Sequence, residues 1–311
     1  MIGRAADFAR MFRDAVGKPL ELAVWLSAHS HFRIGGKADY FFSASSVAEI
    51  ERAVVLAREC AVPCYVIGGG YNLLFHDEGF RGLILKNCVK GLERKDKCEI
   101  AVFSGTDLME LLQFCCEQNL GGVEYLAGIP GTVGGAVFGN AGAFDQDIGS
   151  HVVSATLFDE QGHEKKVERG YFDFDYRSTR LRQKHEFVLS VTLWAEERNK
   201  DRIKAAMDEI LEKRKKKHPP WHVACAGSFF RNPVLPDGRK VPAAQLLDRV
   251  GAKELSVGNA AVYEGHANFL INRGNATSAD VCQLAQELKR RVKQEFAVEL
   301  QEEVIIVPAV L

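Results

Sequence analysis

The sequence predicts an α+β protein of more than one domain, and three observations carry that prediction. Strand-like and helix-like stretches alternate through the first two-thirds of the 311 residues, a length too great for one ordinary domain. A charged helical stretch, 200–217, ends abruptly at His218-Pro219-Pro220-Trp221, because proline cannot continue a helix. The 28 glycines are partly clustered in uncharged segments, as main chain requires where it approaches something closely.

The elements follow in order from apolar spacing. Residues 1–17 are charged throughout and read as an amphipathic helix, with Ala5, Phe8, Ala9 and Phe12 on one face. ADYFFS (38–43) reads as a strand, SVAEIERAVVLARECAV (46–62) as a helix, PCYVIGGG (63–70) as a short strand running into glycines, and GLILKN (82–87) as a further strand. A second unit opens near Cys98 with the strand EIAVFS (99–104) and the helix TDLMELLQFCCEQN (106–119), for which Thr106 is the expected cap. A glycine-rich stretch, 121–142, leads to three strands: HVVSATLFD (151–159), HEKKVERG (163–170) and HEFVLSVTLWAEE (185–197). Beyond the 200–217 helix come GSFFRNP (227–233), a short helix (243–251), the strand-like NFLINRG (268–274), a long helix (278–297) and a last apolar strand, EEVIIVP (302–308).

Composition excludes several classes. Hydrophobic residues at 47% and charged residues at 26% describe a globular chain, and 40 basic against 41 acidic residues give no global reason to bind nucleic acid or an anionic membrane. No apolar run approaches the ~20 residues that cross a bilayer, so no membrane insertion is expected. The N-terminus lacks the apolar core of an export signal, so a cytoplasmic location is expected. The eight cysteines form no CxxC pair and read as reduced, buried structural thiols; Cys60 and Cys64 are a weak metal pair, and no metal is expected. The run Lys213–His218 reads as a helix end whose cations suit the dipole.

Five constellations can carry chemistry. Ile67-Gly68-Gly69-Gly70-Tyr71-Asn72 follows a strand and offers consecutive backbone amides to a phosphate, yet it completes neither the Rossmann nor the Walker pattern; a bare tight turn is the other reading. Residues 126–143 hold Gly128, Ile129, Gly131, Thr132, Gly134, Gly135 and Asn140 without one charge, which suits either a large flat ligand or close packing of subdomains. Tyr176-Arg177 follows an aromatic cluster and can clamp a carboxylate, or be an ordinary surface arginine. Gly227-Ser228-Phe229-Phe230-Arg231-Asn232 places a serine in a glycine-preceded loop, as a reactive or a turn-forming residue. Glu302-Glu303 opens the last strand, where alternation turns one carboxylate inward.

Together these stretches resemble the UDP-N-acetylenolpyruvoylglucosamine reductase family. The matching segments are SHFRIGGKADYFF (30–42), IGGGYNLLFHDEGFRGLIL (67–85), EYLAGIPGTVGGAVFGNAGAFDQDIG (124–149), YRSTRL (176–181), GSFFRNP (227–233), AAQLLDRVGAKELSVGNAAV (243–262), HANFLINRGNATSADV (266–281) and LQEEVIIV (300–307). Eight ordered segments over 30–307 are specific where one triple glycine is not. The short run from Arg177 to the 200–217 helix resembles the shorter, type II form.

The resemblance implies a two-subdomain FAD-binding module of the vanillyl-alcohol-oxidase (PCMH) type at 18–199, with subdomains of about 18–90 and 91–199. It implies a C-terminal α/β substrate-binding domain at 200–300 and a last strand that returns to the active site. Non-covalent FAD is the implied cofactor, NADPH the hydride donor, and a UDP-sugar enolpyruvyl ether of peptidoglycan precursor synthesis the substrate. By match to the family's motifs, Arg177 polarises the substrate carboxylate, Glu303 holds the enolate-like state and Ser228 delivers the proton. Tyr176, Arg231 and Asn232 are implied on the substrate, and the backbone of 67–72 and 128–142 on FAD. A monomer is expected. The chain departs from the family pattern at Tyr71 (usually Ser), Arg231 (usually Lys), Phe138-Gly139-Asn140 (usually Met-Asn) and Ala297 (usually Gly). Two alternatives remain open: a small-alcohol oxidase of the same fold, and a non-catalytic flavin-binding protein.

Overall fold

Strand–helix–strand alternation is realised from the start of the chain. The computed structural model describes residues 2–159, 161–184, 186–235 and 237–310, without the side chains of 2–6, so Met1, the Ala5 side chain and His185 lie outside the described residues. The chain divides into two compact units that are not the contiguous blocks expected. The first comprises 1–23, 39–69 and 82–213, and the second 24–38, 70–81 and 214–311. The helix expected to open the second domain, Lys200–Lys215, belongs almost entirely to the first unit.

The first unit has two cores. In one, the amphipathic helix Ile2–Val16 packs Phe8 against Tyr40 (ring centroids 4.8 Å) and Phe12 against Phe42 (5.0 Å). The helix Val47–Glu59, capped by Ser46, closes the same core with Ile50, Ala53 and Leu56, the spacing that marks its sequence. Its sheet runs in the order Glu21–Trp25, Lys37–Ala44, Phe80–Asn87, Cys64–Ile67, with the last two parallel. At the ends of three of these strands the chain passes into the second unit. The other core lies on an antiparallel sheet ordered Glu164–Glu168, Val152–Asp159, Glu186–Trp194, Glu99–Phe103, Leu92–Arg94. The helix Leu108–Glu117 packs here, but its N-cap is Asp107; the Thr106 hydroxyl bonds Gly91 instead, accepting from its N–H at 3.1 Å.

The second unit is an antiparallel sheet ordered Ala224–Ser228, Phe269–Asn272, Ala260–Val262, Ser256–Val257, packed with the helices Ala243–Arg249 and Ser278–Phe296. Phe32, Ile34 and Leu74 join its core from the two early segments. Leu73–Phe75 pairs in parallel with the last strand, Ile305–Val307. Asp77 ties the second early segment down: its carboxylate accepts from the Ser278 N–H (2.7 Å), the Ser278 hydroxyl (2.8 Å) and the Ala279 N–H (3.2 Å). A carboxylate at a helix start meets unpaired amides and the positive end of the dipole, so it is favoured there. All eight cysteines are free, but only Cys115 and Cys225 are buried, so the expectation of buried thiols holds for two of them.

Candidate active site

Arg177 and the uncharged glycine stretch meet within the first unit. Asp175–Ser178 is a tight turn closed by two backbone bonds of 3.1 Å, with Arg177 at φ +55°. That conformation is uncommon for a residue with a side chain and persists where its surroundings fix it. Asn140 does the fixing: its Nδ2 donates to the Asp175 carbonyl (2.9 Å) and its Oδ1 accepts from the Gly149 N–H (3.0 Å). The guanidinium donates to the carbonyls of Gly142 and Asn140 and lies 5.1 Å from the Tyr176 ring. Five N–H donors allow a guanidinium to bond these carbonyls and a carboxylate together.

Asn140 is 1% exposed and its side-chain amide is engaged at both ends, so that side chain acts as a structural clamp. The first-turn amides of the helix Val133–Gly139 are also engaged. Val133 N–H donates to Thr106 C=O (2.9 Å), Gly134 N–H to Ser104 C=O (2.8 Å) and Gly135 N–H to Thr132 Oγ1 (3.3 Å). These first-turn amides are therefore taken by the protein itself, as is the Ile129 N–H, which donates to Leu126 C=O (2.9 Å). Ile129 packs on the core, and the Gly131 carbonyl accepts from Leu108 N–H (2.9 Å). Gly128 and Gly135 are exposed, bare main chain in an uncharged ribbon, and this fits a flat group lying against it.

The triple glycine has protein reasons as well. A Cβ at Gly68 would strike Thr132 Oγ1, and one at Gly70, where φ is +74°, would strike the His29 carbonyl. Ile67, buried, ends the strand before this turn. Glycine identity at 68 and 70 is therefore accounted for without a ligand, while the amides of the turn keep the geometry that suits a phosphate. Tyr71 lies 5.6 Å from both the His31 and Trp221 rings.

Ser228 and Glu303 come together within the second unit. Glu303 N–H donates to Phe229 C=O (2.8 Å), Phe230 bridges Glu302, and Arg231 N–H donates to Gln301 C=O (2.9 Å), so the serine loop and the chain before the last strand pair antiparallel. Gly227, at φ +76°, makes the bend that a side chain would resist. Of the two carboxylates, Glu302 is taken by Lys289 Nζ, at 2.9 and 3.1 Å. Asn232 Oδ1 accepts from Ala243 N–H (2.9 Å), holding the start of the 243–249 helix. Arg231 Nε is buried and has no hydrogen-bond partner among the described residues, a donor that suits an anion.

One residue escapes sequence reasoning. Asn268, 3% exposed, accepts from Phe230 N–H through Oδ1 (2.9 Å) and donates to Phe230 C=O through Nδ2 (2.8 Å), while its own carbonyl accepts from Phe229 N–H (2.8 Å). Its side chain replaces a strand beside the serine loop. The only signal was a polar residue opening an apolar strand.

Comparison with known proteins fits this architecture. A FAD binding domain profile matches residues 38–168, and the profile of the UDP-N-acetylenolpyruvoylglucosamine reductase C-terminal domain matches 219–307. The UDP-N-acetylenolpyruvoylglucosamine reductase of Clostridium botulinum is 33% identical over 302 residues, 97% of each chain. The chain belongs to this reductase family. The Chlamydia abortus reductase is 36% identical over 286 residues, 92% of this chain and 94% of that one. The crystal structure of the Thermus caldophilus family member superimposes with a TM-score of 0.76 at 30% identity, covering 93% of this chain and all of that one. Family membership makes the chain an oxidoreductase with FAD as cofactor, and it decides among the readings left open in favour of the reductase. No described helix is long and apolar enough to cross a membrane.

Proposed function

We propose that this chain reduces the enolpyruvyl group of UDP-N-acetylglucosamine enolpyruvate to give UDP-N-acetylmuramate, as a monomeric cytoplasmic enzyme of peptidoglycan precursor synthesis. The observation that carries the reading is the pairing of the Ser228 loop with Glu303 through the 2.8 Å Glu303–Phe229 bond. That bond holds a hydroxyl and a carboxylate from distant parts of the chain on adjacent backbone segments. FAD, when bound, supplies the hydride relay between NADPH and the substrate. The turn amides of Gly68, Gly69, Gly70 and Tyr71 and those of Gly128, Gly131 and Thr132 hold it without a covalent bond. Arg177, aimed by its turn, binds and polarises the substrate carboxylate, and Tyr176 supports the guanidinium from its ring face. Arg231 takes the diphosphate with its buried Nε, and Asn232 lies beside it in the same loop. Glu303 stabilises the enolate-like state, and Ser228 Oγ delivers the proton to the carbon that becomes negative. A serine can serve as acid because a carbanion-like centre is far more basic than an alkoxide.

Stopped-flow absorbance of the flavin band separates the two halves of the cycle. Ser228→Ala is expected to bleach with NADPH at nearly the parent rate and to reoxidise about 10²–10⁴-fold more slowly with the enolpyruvyl substrate, the usual contribution of a general acid. Ser228→Cys keeps a transferable proton and recovers part of that loss. Equal slowing of both halves would make Ser228 a structural residue of the 227–233 loop and remove the proton-donor assignment.

A further inference from the structure

We infer that Asn72 is a positioning residue for Glu303 and not a ligand of the flavin, an inference that rests on the catalytic reading of Glu303 above. Asn72 directly follows the glycine turn, and its place in the motif groups it with the cofactor contacts. The bonds of its side chain and its carbonyl lead elsewhere. The side-chain Nδ2 donates to the Glu303 carbonyl at 3.2 Å, and the Asn72 carbonyl accepts from the Ile305 N–H at 3.0 Å. The regular parallel ladder begins only at the Ile305–Leu73 pair. The Asn72 amide therefore continues that ladder with a side chain, to the residue whose carboxylate matters. The other peptide group of Glu303 is held by Phe229, directly after Ser228, at 2.8 Å.

Glu303 is consequently fixed at both peptide groups, one tied to the serine loop and one to the residue that ends the glycine turn. A catalytic carboxylate works only when held within a few tenths of an ångström of its productive place. Removing one of two anchors lets the Glu303 peptide rotate while leaving the strand Ile305–Val307 paired with Leu73–Phe75. Asn72 reaches the reaction through Glu303 and touches no reacting atom.

The test uses full-length, FAD-loaded enzyme carrying Asn72→Asp, which keeps the shape and removes the donor, and Asn72→Leu, which removes all polarity. Flavin affinity of the stripped protein by fluorescence, and bleaching by NADPH, are expected to stay within about threefold of the parent. Reoxidation by the enolpyruvyl substrate is expected to slow about tenfold, less than the ~10²-fold that a full ångström of misplacement costs. In a Glu303→Ala background the Asn72→Leu effect disappears, because the group it positions has gone. A tenfold loss of flavin affinity with slowed bleaching overturns the inference and returns Asn72 to the cofactor. So does a defect that persists undiminished beside Glu303→Ala, which marks a merely structural residue. Glu303→Ala reoxidising at the parent rate removes Glu303 from the mechanism. That outcome is distinct from a slow Glu303→Ala beside an unaffected Asn72→Leu, which sinks only the role of Asn72.

Discussion

Asn268→Leu removes the side chain that pairs with Phe230 and leaves the surroundings apolar. The Phe230 N–H and C=O, bonded at 2.9 and 2.8 Å in a residue 1% exposed, then face methyl groups. An unsatisfied buried polar group costs about 1–3 kcal/mol, so two cost about 2–6 kcal/mol. Burying a leucine side chain returns about 1.5–3 kcal/mol, and water reaching part of the loop lowers the penalty further, so the net loss is about 1–2 kcal/mol. With a urea slope of about 2–3 kcal/mol/M, the upper part of the usual range for a chain of this size, the unfolding midpoint should drop by roughly 0.3–1 M. Equilibrium unfolding in urea at one saturating FAD concentration, followed by tryptophan fluorescence, measures this without a change in ligand linkage. Asn268→Asp sharpens the test, because its carboxylate faces the Phe230 carbonyl at neutral pH and regains a donor when protonated. It should recover stability towards acid while Asn268→Leu does not. A midpoint for Asn268→Leu within about 0.1 M of the parent would refute the claim that this amide holds the serine loop.

Two further outcomes follow from the geometry. Gly135 is exposed and a Cβ there meets only Thr132 Oγ1 at 3.5 Å, so Gly135→Ala should leave stability unchanged or raise it by up to about 1 kcal/mol, as alanine does in a helix. If the cofactor lies on that bare face, the same change lowers flavin affinity about tenfold, and unchanged affinity by fluorescence titration removes the face from the site. His218 is pushed down to about 4, first by burial and then by Arg214, His266 and Lys217. Between about pH 6.5 and 4 the unfolded chain binds a proton there that the native state does not, so the contribution is full above the unfolded value and is lost as pH falls. For a half-buried ring the loss is on the order of 1–2 kcal/mol. His218→Phe should flatten the pH dependence of the urea midpoint between pH 7 and 4.5, and an unchanged slope would contradict this.

The strands and helices were legible wherever one face is apolar over several residues. The helices at 47–59 and 278–296 end within three residues of where spacing put them, because Ile50, Ala53 and Leu56, or Val281, Leu284 and Leu288, each line a single stripe. Short strands were missed, among them Glu21–Trp25 and Ala224–Ser228, since four or five residues carry no period of their own. The expected cap at Thr106 failed by one residue: its hydroxyl accepts from the Gly91 N–H instead, and Asp107 stands at the cap position. In the candidate site, the motifs single out Arg177, Ser228 and Glu303 by their chemistry, and the structure sets the Ser228 loop beside Glu303. They could not separate a glycine that faces a ligand from one that faces His29 or Thr132, nor an asparagine that binds from one that braces. Asn72, Asn140 and Asn268 show that difference only through partners distant in sequence.

The second unit is assembled from three pieces of chain, and this has a consequence for synthesis on the ribosome. Phe32, Ile34 and Leu74 are emitted early, yet the helices and strands that cover them come from 214–311. At about 5–20 residues per second, Leu74 waits on the order of ten to fifty seconds for its partner strand at Ile305–Val307. The loops closed by these contacts are long, and long-range pairing is slow. Nascent chains therefore carry an uncovered apolar patch for most of their synthesis, the kind of surface that holding chaperones recognise. Truncation between Leu74 and the last strand leaves that patch exposed, so incomplete chains should aggregate or be degraded more readily than the finished protein.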